Sequence, residues 1–129
     1  MSIYATIELS ESGHQSLPQE FDPNNEGFVY GLDLPRMDLG DWEEKLGVRP
    51  ISDFFDDSDM LTDEEREEVG LPPAERKWAP VEDGLRTLRA LITALEADGR
   101  SDEELWDLRV SERILSNAKP GEKFRYDVG

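Results

Sequence analysis

The segment from residue 51 to residue 70, ISDFFDDSDMLTDEEREEVG, holds the densest group of side chains that could do chemistry. It carries nine carboxylates and one arginine around the pair Phe54-Phe55. Carboxylates at this density could ligate a hard divalent cation, could bind a basic surface, or could simply keep a connection solvated. The spacing of the residues bears on each of these possibilities.

A calcium-binding EF-hand loop is the most specific of them. With Asp57 at the first position, Asp59 falls at the third and Glu68 at the twelfth, as that loop requires. Leu61 then takes the fifth position, where an oxygen ligand is needed, and Thr62 takes the sixth, where the sharp turn needs glycine. The segment is therefore not an EF-hand loop.

A looser Mg²⁺ or Ca²⁺ site is chemically possible from four carboxylates of the segment, Asp56, Asp57, Asp59 and Asp63. Repelling carboxylates left in solvent are the commoner situation, so we expect no bound metal and no cofactor. A carboxylate-based divalent-metal enzyme is the least favoured of the hypotheses weighed below.

Residues for nucleophilic catalysis are sparse. The chain has no cysteine, and its single histidine, His14, lies in the polar stretch ESGHQS without a Gly-x-Ser-x-Gly motif. No Gly-x-Gly-x-x-Gly or Gly-Lys-Ser/Thr sequence is present to cradle a phosphate. We interpret His14 as an exposed loop histidine, and we favour a non-enzymatic protein over an enzyme.

The net charge of −17 is concentrated in the first part of the chain. Residues 1–75 carry 20 acidic and 4 basic side chains, whereas residues 76–129 carry 11 and 10. Nucleic acid and anionic membranes are repelled by such a surface, while a basic protein is attracted. Arg86, Arg89, Arg109, Arg113 and Arg125 supply much of the basic content of the second part, and no aromatic residues alternate with them as in a nucleic-acid platform.

The N-terminal sequence does not predict export. The first basic residue is Arg36, the apolar residues before it alternate with polar ones, and no segment approaches the roughly 20 apolar residues of a membrane span. Together with the absence of cysteine, this pattern leads us to expect a soluble cytoplasmic protein without disulfides.

Three segments alternate apolar and polar residues as strands do. SIYATIELS, residues 2–10, places Ile3, Ala5, Ile7 and Leu9 on one face. FVYGLDL, residues 28–34, is predicted as a second strand after a long loop, and residues 124–128 as the last.

Helices are predicted in the rest of the chain. Residues 38–47 suggest one or two turns with Trp42 and Leu46 facing inward and Gly47 as the stop. Thr62 and Glu65 have the spacing of a capping box that opens a short helix.

Two longer helices follow. In the first, after Pro80, the inward stripe is predicted to be Val81, Leu85, Leu88, Ile92 and Leu95. Ser101 opens the second, over 102–118, with an apolar arc wide enough to be buried on more than one side. Asp107 falls inside that arc, so we expect either an ion pair with an arginine of the preceding helix (Arg86, Arg89 or Arg100) or partial exposure near the helix start.

This order of elements predicts one α+β domain over residues 1–129. We expect a small, mainly antiparallel sheet of about three strands, two C-terminal helices on one face of it, and short helical turns in the middle.

The function we favour is a small acidic binding protein, resembling immunity or inhibitor proteins in type, that recognises a basic protein through the acidic tract 53–68. One phenylalanine is expected to anchor this tract in the core while the carboxylates point outward. The predicted partner-binding residues are Asp53, Phe54, Phe55, Asp56, Asp57, Asp59, Asp63 and Glu64. The alternative is a structural or regulatory module of unknown role that acts as a homo-oligomer, such as a homodimer, in which the tract only maintains solubility.

Overall fold

The computed structural model describes residues 5–21, 39–56, 61–72 and 77–128. The strands are β1 (Ala5–Leu9), β2 (Gly13–His14), β3 (Phe55–Asp56), β4 (Ala79–Pro80) and β5 (Lys123–Val128). The α-helices are α1 (Gly40–Leu46), α2 (Asp63–Glu68), α3 (Val81–Ala97) and α4 (Asp102–Ser116), and 3-10 turns cover Gln19–Phe21 and Ile51–Phe54. The predicted strand at residues 28–34 lies outside the described residues.

Among the described residues, β5 is the central strand of a five-stranded mixed sheet. β1 runs antiparallel along one side of it, from the pair Ala5–Val128 to the pair Leu9–Phe124, and β2 continues the sheet beyond β1. β3 pairs with β5 in parallel and β4 pairs with it antiparallel. The α+β class is confirmed. The sheet is larger than the three strands predicted, and the parallel β3–β5 pair makes it mixed, because two-residue strands give no alternation in the sequence.

The two faces of the sheet differ as the strand patterns predict. Ala5, Ile7 and Leu9 of β1 are buried, as are Phe124 and Tyr126 of β5, and all five belong to one hydrophobic core. α3 and α4 cover this face, so the predicted position of the two C-terminal helices is confirmed. The residues of β1 and β5 that alternate with these buried ones point to the opposite face, where Glu8 stands opposite Arg125.

α3 approaches the sheet closely because residue 84 is glycine. A methyl group on Gly84 would lie 2.5 Å from the ring of Phe124 and 2.9 Å from the side chain of Leu115. Only a residue without a side chain fits this contact, since Phe124 is itself completely buried.

The buried stripe of α3 is rotated from the predicted one. Leu88 and Leu95 are buried as expected, but Val81, Leu85 and Ile92 are only partly buried. The remaining buried positions are Gly84, Thr87 and Leu91. Two contacts fix the orientation of the helix: Gly84 lies against Phe124, and the Thr87 hydroxyl donates a 2.7 Å hydrogen bond to the Arg49 carbonyl. The apolar pattern alone did not predict the buried face because it contains neither contact.

α4 matches its prediction more closely. The Ser101 hydroxyl accepts a hydrogen bond from the Glu104 backbone N–H, and the helix ends two residues before the expected position. Its buried residues cover a wide arc: Leu105, Leu108, Val110, Ser111, Ile114 and Leu115. Within the described residues, no helix is both long enough and apolar enough to cross a bilayer.

Two of the three arginines considered as partners of Asp107 form other ion pairs. Arg89 binds Glu112, and Arg100 binds Asp98 and Glu104. Asp107 instead lies near the buried hydroxyl of Tyr126. Burial raises the pKa of Tyr126 above its ordinary value of 10.0, the neighbouring Ser111 hydroxyl lowers it, and the Asp107 carboxylate raises it.

α1 ends at Gly47, which has a positive φ of 67° as predicted. Its inward face agrees with the prediction at Trp42, which packs against the core, and differs from it at Leu46. Trp42 is partly buried, Leu46 is exposed, and the buried side chain is Glu43, whose carboxylate accepts a hydrogen bond from the Ile51 backbone N–H. A buried carboxylate that closes the following turn was not predictable from apolar periodicity.

Candidate functional site

The acidic tract 53–68 is divided into two parts with different environments. Residues 53–56 are built into the fold, and residues 61–68 lie on the surface around α2. Asp57 and Asp59 lie outside the described residues. The structure therefore separates the predicted partner-binding residues into an inner set and an outer set.

Phe54 is the residue that anchors the inner set. Its ring is buried and lies 5.1 Å, centroid to centroid, from the ring of Phe124. The Arg49 guanidinium covers the Phe54 ring at 4.8 Å and also pairs with Asp53, so the Asp53 charge is partly compensated. The expectation that one phenylalanine plugs the core is met by Phe54. The ring of Phe55 is partly buried and packs edge-on against Tyr126.

Asp56 does not point outward as expected for the carboxylates of the tract. It is 1% exposed, and its Oδ2 atom lies 3.1 Å from Nη1 of Arg125, which is fully buried. The same oxygen accepts a hydrogen bond from the Lys77 backbone N–H. Burial of an ionised carboxylate without a partner costs too much free energy to be tolerated, so the position of Asp56 depends on Arg125.

Arg125 gathers carboxylates from several strands. Its Nε atom lies 2.6 Å from Glu8, and Nη2 lies 3.5 Å from Asp127. The indole ring of Trp78 stands 5.7 Å from the guanidinium carbon, within the range of a cation–π contact. Together, these contacts fix the junction of β1, β3 and β5 on the face opposite the helices.

His14 belongs to the edge of this cluster. Its Nε2 atom lies 2.9 Å from Asp127 and its Nδ1 atom lies 3.6 Å from Glu8. The residue is exposed, as predicted, although it lies in β2 and not in a loop. Because each imidazole nitrogen faces a carboxylate that also contacts Arg125, the arrangement is that of an ion-pair network. In the described part of the chain, no group of three or more acidic, histidine or cysteine side chains is arranged to hold a metal ion.

The outer set is carried by α2, which begins with the predicted capping box. The Thr62 hydroxyl accepts a hydrogen bond from the Glu65 backbone N–H, and the Glu65 carboxylate accepts one from the Thr62 backbone N–H. Three acidic residues in the first turn add a favourable interaction with the helix dipole. These local interactions explain how a six-residue helix forms although none of its residues is buried.

The surface around α2 combines charge with exposed apolar groups. Asp63, Glu64, Glu65, Glu67 and Glu68 accompany a single Arg66. Directly after the helix, Val69 is 66% exposed and Leu71 is 46% exposed. We call residues 63–71 the α2 ridge. The α2 ridge is thus an acidic surface with two exposed aliphatic side chains at one end.

Comparison with protein-family models, curated proteins and solved structures finds no match for this chain. The functional argument therefore depends on the arrangement of its own residues.

Two groups of the structure were missed in the sequence. In the sequence, Arg125 is one of the basic residues of the second half, but its side chain is buried in a cluster of carboxylates. The second residue is Glu122, which organises a turn. Glu122 accepts hydrogen bonds from the backbone N–H groups of Glu11, Ser12 and Lys119. Burial would raise the pKa of Glu122, but these hydrogen bonds hold it below its ordinary value. A signal for Arg125 exists in hindsight, since a charged residue between Phe124 and Tyr126 occupies the middle of a strand.

Proposed function

We propose that this protein is a non-enzymatic acidic binding protein that recognises a basic protein partner through the α2 ridge. The observation that carries the proposal is the exposure of Val69 and Leu71 directly after α2, a helix that carries five carboxylates and contributes nothing to the core. A protein of the inhibitor or immunity type needs both charge and exposed apolar groups, because it must find a cationic cleft and then exclude water from it.

The proposal narrows the predicted binding residues to those that are free to make contacts. Phe54 and Asp56 are buried, so they support the segment and do not touch a partner. Asp63 and Glu64 remain at the centre of the proposed surface, and Asp53 and Phe55 lie at the part of the tract that enters the fold. The carboxylates would steer association over about 10 Å at 0.1 M salt, and the two aliphatic side chains would supply the desolvated contact.

A pair of charge variants separates recognition by the ridge from a general effect of net charge. The ridge variant changes four carboxylates to their amides: Asp63→Asn, Glu64→Gln, Glu67→Gln and Glu68→Gln. The control variant makes the same change in net charge at four exposed carboxylates elsewhere: Asp41→Asn, Glu44→Gln, Glu82→Gln and Glu103→Gln. Both variants and the wild type are used to capture proteins from a lysate of the producing cell, at about 50 mM and about 500 mM salt.

The expected partner is basic, is retained by the wild type and the control variant, and is lost by the ridge variant. With the purified partner, the association rate of the wild type should fall by about tenfold or more over the same salt range, as for electrostatically steered complexes. Equal capture by the two variants, or an association rate that does not change with salt, would contradict the proposal.

The second candidate is a structural or regulatory module that forms a homodimer. Exposure of Val69 and Leu71 favours it, because the same two side chains could pair with a second copy of the chain. Sedimentation of the wild type and the ridge variant separates the candidates. A dimer that persists when the ridge is neutralised supports the module, whereas a wild type that is monomeric at all concentrations supports recognition of another protein.

A further inference from the structure

A groove of about 290 Å³ lies between α3 and α4, away from the acidic tract. Ile92 of α3 and Phe21 of the first 3-10 turn give it apolar walls. The Phe21 ring is held in place by an edge-on contact with Trp106 of α4, 4.9 Å between centroids. The apolar part of the groove is thus formed before any ligand is present, as is usual for ligand sites.

Three arginines and one carboxylate line the same groove, although the protein is strongly acidic: Arg89, Arg109, Arg113 and Glu112. Arg109 is occupied on both terminal nitrogens by Glu96 and Asp102. Arg89 and Arg113 are different, because each uses only its Nε atom, for Glu112 and Glu20 respectively. Within the described part of the chain, the terminal amino groups of these two side chains donate no hydrogen bond, although each guanidinium is ion-paired through its Nε atom.

The available groups define the ligand that would fit. A guanidinium edge with free N–H donors matches a carboxylate in a bidentate manner, and the two exposed ion pairs beside it are weak enough to share their cations. A groove of this volume with an aliphatic and an aromatic wall accommodates a small apolar body. A small inorganic anion would leave these walls empty, and a polyanion would be repelled by the net charge of −17.

We infer that the groove between α3 and α4 binds a small organic monocarboxylate with an apolar body, the carboxylate lying between Arg89 and Arg113 and the body against Phe21 and Ile92. Thr93 also lines the groove and supplies a hydroxyl at its edge. This site shares no residue with the α2 ridge, so its test is independent of the proposed recognition of a basic protein.

The test is a titration followed by ¹H–¹⁵N correlation spectra, with phenylacetate as the probe. Phenylacetamide has nearly the same shape without the charge, and inorganic phosphate has charge without the apolar body. A ligand of about ten non-hydrogen atoms at ordinary efficiency gives a dissociation constant on the order of 1 mM, so titrations extend to about 20 mM. The variants are Arg89→Gln and Arg113→Gln, and the control is Arg100→Gln, an exposed paired arginine that does not line the groove.

Saturable shifts of the Phe21, Ile92 and Thr93 signals with phenylacetate are expected, with at least tenfold weaker binding of phenylacetamide and of phosphate. Each groove variant should weaken phenylacetate binding at least tenfold, and Arg100→Gln should leave it unchanged. Absence of saturable binding by the wild type, equal binding of the acid and the amide, or equal weakening by Arg100→Gln would each overturn the inference. The spectra also show whether each variant remains folded.

Discussion

Asp56 and Arg125 are 69 residues apart in the chain, and their side chains form an ion pair 3.1 Å long from which water is excluded. The pair joins the start of the acidic tract to the central strand of the sheet. Together with the buried ring of Phe54, this pair fastens residues 53–56 of the tract to the fold, whereas residues 61–68 lie on the surface.

The first prediction concerns this ion pair. Arg125→Met leaves Asp56, Glu8 and Asp127 without their shared cation and should lower the free energy of unfolding by about 3–5 kcal/mol. Asp56→Asn should cost less, because the amide oxygen can still accept a hydrogen bond and two carboxylates remain beside Arg125. Urea unfolding followed by circular dichroism measures both. The control Arg100→Met removes an exposed ion pair, and a loss as large as that of Arg125→Met would contradict this account.

The second prediction concerns the pH dependence contributed by Glu122. Its carboxylate accepts the N–H groups of Glu11, Ser12 and Lys119, and its pKa in the folded protein is lower than the ordinary value of 4.5. The ionised form therefore stabilises the fold fully above the pKa of the unfolded chain, and the stabilisation is lost as pH falls through the lower pKa of the folded state.

Glu122→Gln should accordingly reduce the free energy of unfolding by about 1–3 kcal/mol at neutral pH, because an amide nitrogen would face backbone donors. The difference from the wild type should shrink as pH falls below 4.5. Urea unfolding at a series of pH values, with the exposed Glu44→Gln as control, measures the effect. A difference that is constant from neutral to acidic pH would count against the assigned role of the carboxylate.

The third prediction concerns the contact of α3 with the sheet. Alanine favours a helix interior over glycine by about 1 kcal/mol, so Gly84→Ala should stabilise an unpacked helix. Here the added methyl group meets Phe124 and Leu115 inside the core, and overpacking of this kind costs about 1–3 kcal/mol. We expect net destabilisation in thermal and urea unfolding. Gly40→Ala, at the open start of α1, should be neutral or stabilising. If Gly84→Ala instead raised the free energy of unfolding, the core around Phe124 and Leu115 would have to rearrange at little cost, contrary to this prediction.

The fourth prediction separates the α2 ridge from the core. Changing both Val69 and Leu71 to serine should alter the free energy of unfolding by no more than about 0.5 kcal/mol per residue, because both side chains are exposed. Leu91→Ala, at a completely buried position, should cost about 2–5 kcal/mol. The same double variant should weaken binding of the basic partner. A large loss of stability in the double serine variant would mean that Val69 and Leu71 serve the fold.

Much of the local structure was predictable because its causes are local. The capping box at Thr62, the cap at Ser101 and the stop at Gly47 depend on residues a few positions apart, and all three are present. The buried faces of β1 and β5 followed from strict alternation over five residues or more.

What the sequence did not reveal depends on contacts between distant residues. The rotation of α3 is fixed by Gly84 against Phe124 and by Thr87 against Arg49, and neither contact leaves a periodic signal. The burial of Asp56 could not be foreseen in a run of nine carboxylates, since its partner lies on a strand whose pairing with β3 is decided only in three dimensions. The proposed α2 ridge overlaps the predicted tract 53–68, but its exposed apolar residues are Val69 and Leu71, which follow that tract, and not the phenylalanines.

The central place of β5 has a consequence for the order of folding. Every strand with which it pairs precedes it in the chain, and its contacts with β1 close a loop of more than a hundred residues. Earlier segments can form helices and the β1–β2 turn, but they have no template to join until the last strand arrives. We therefore expect slow folding in which the sheet forms late. Deletion of residues 123–128 should leave a collapsed chain that lacks this sheet.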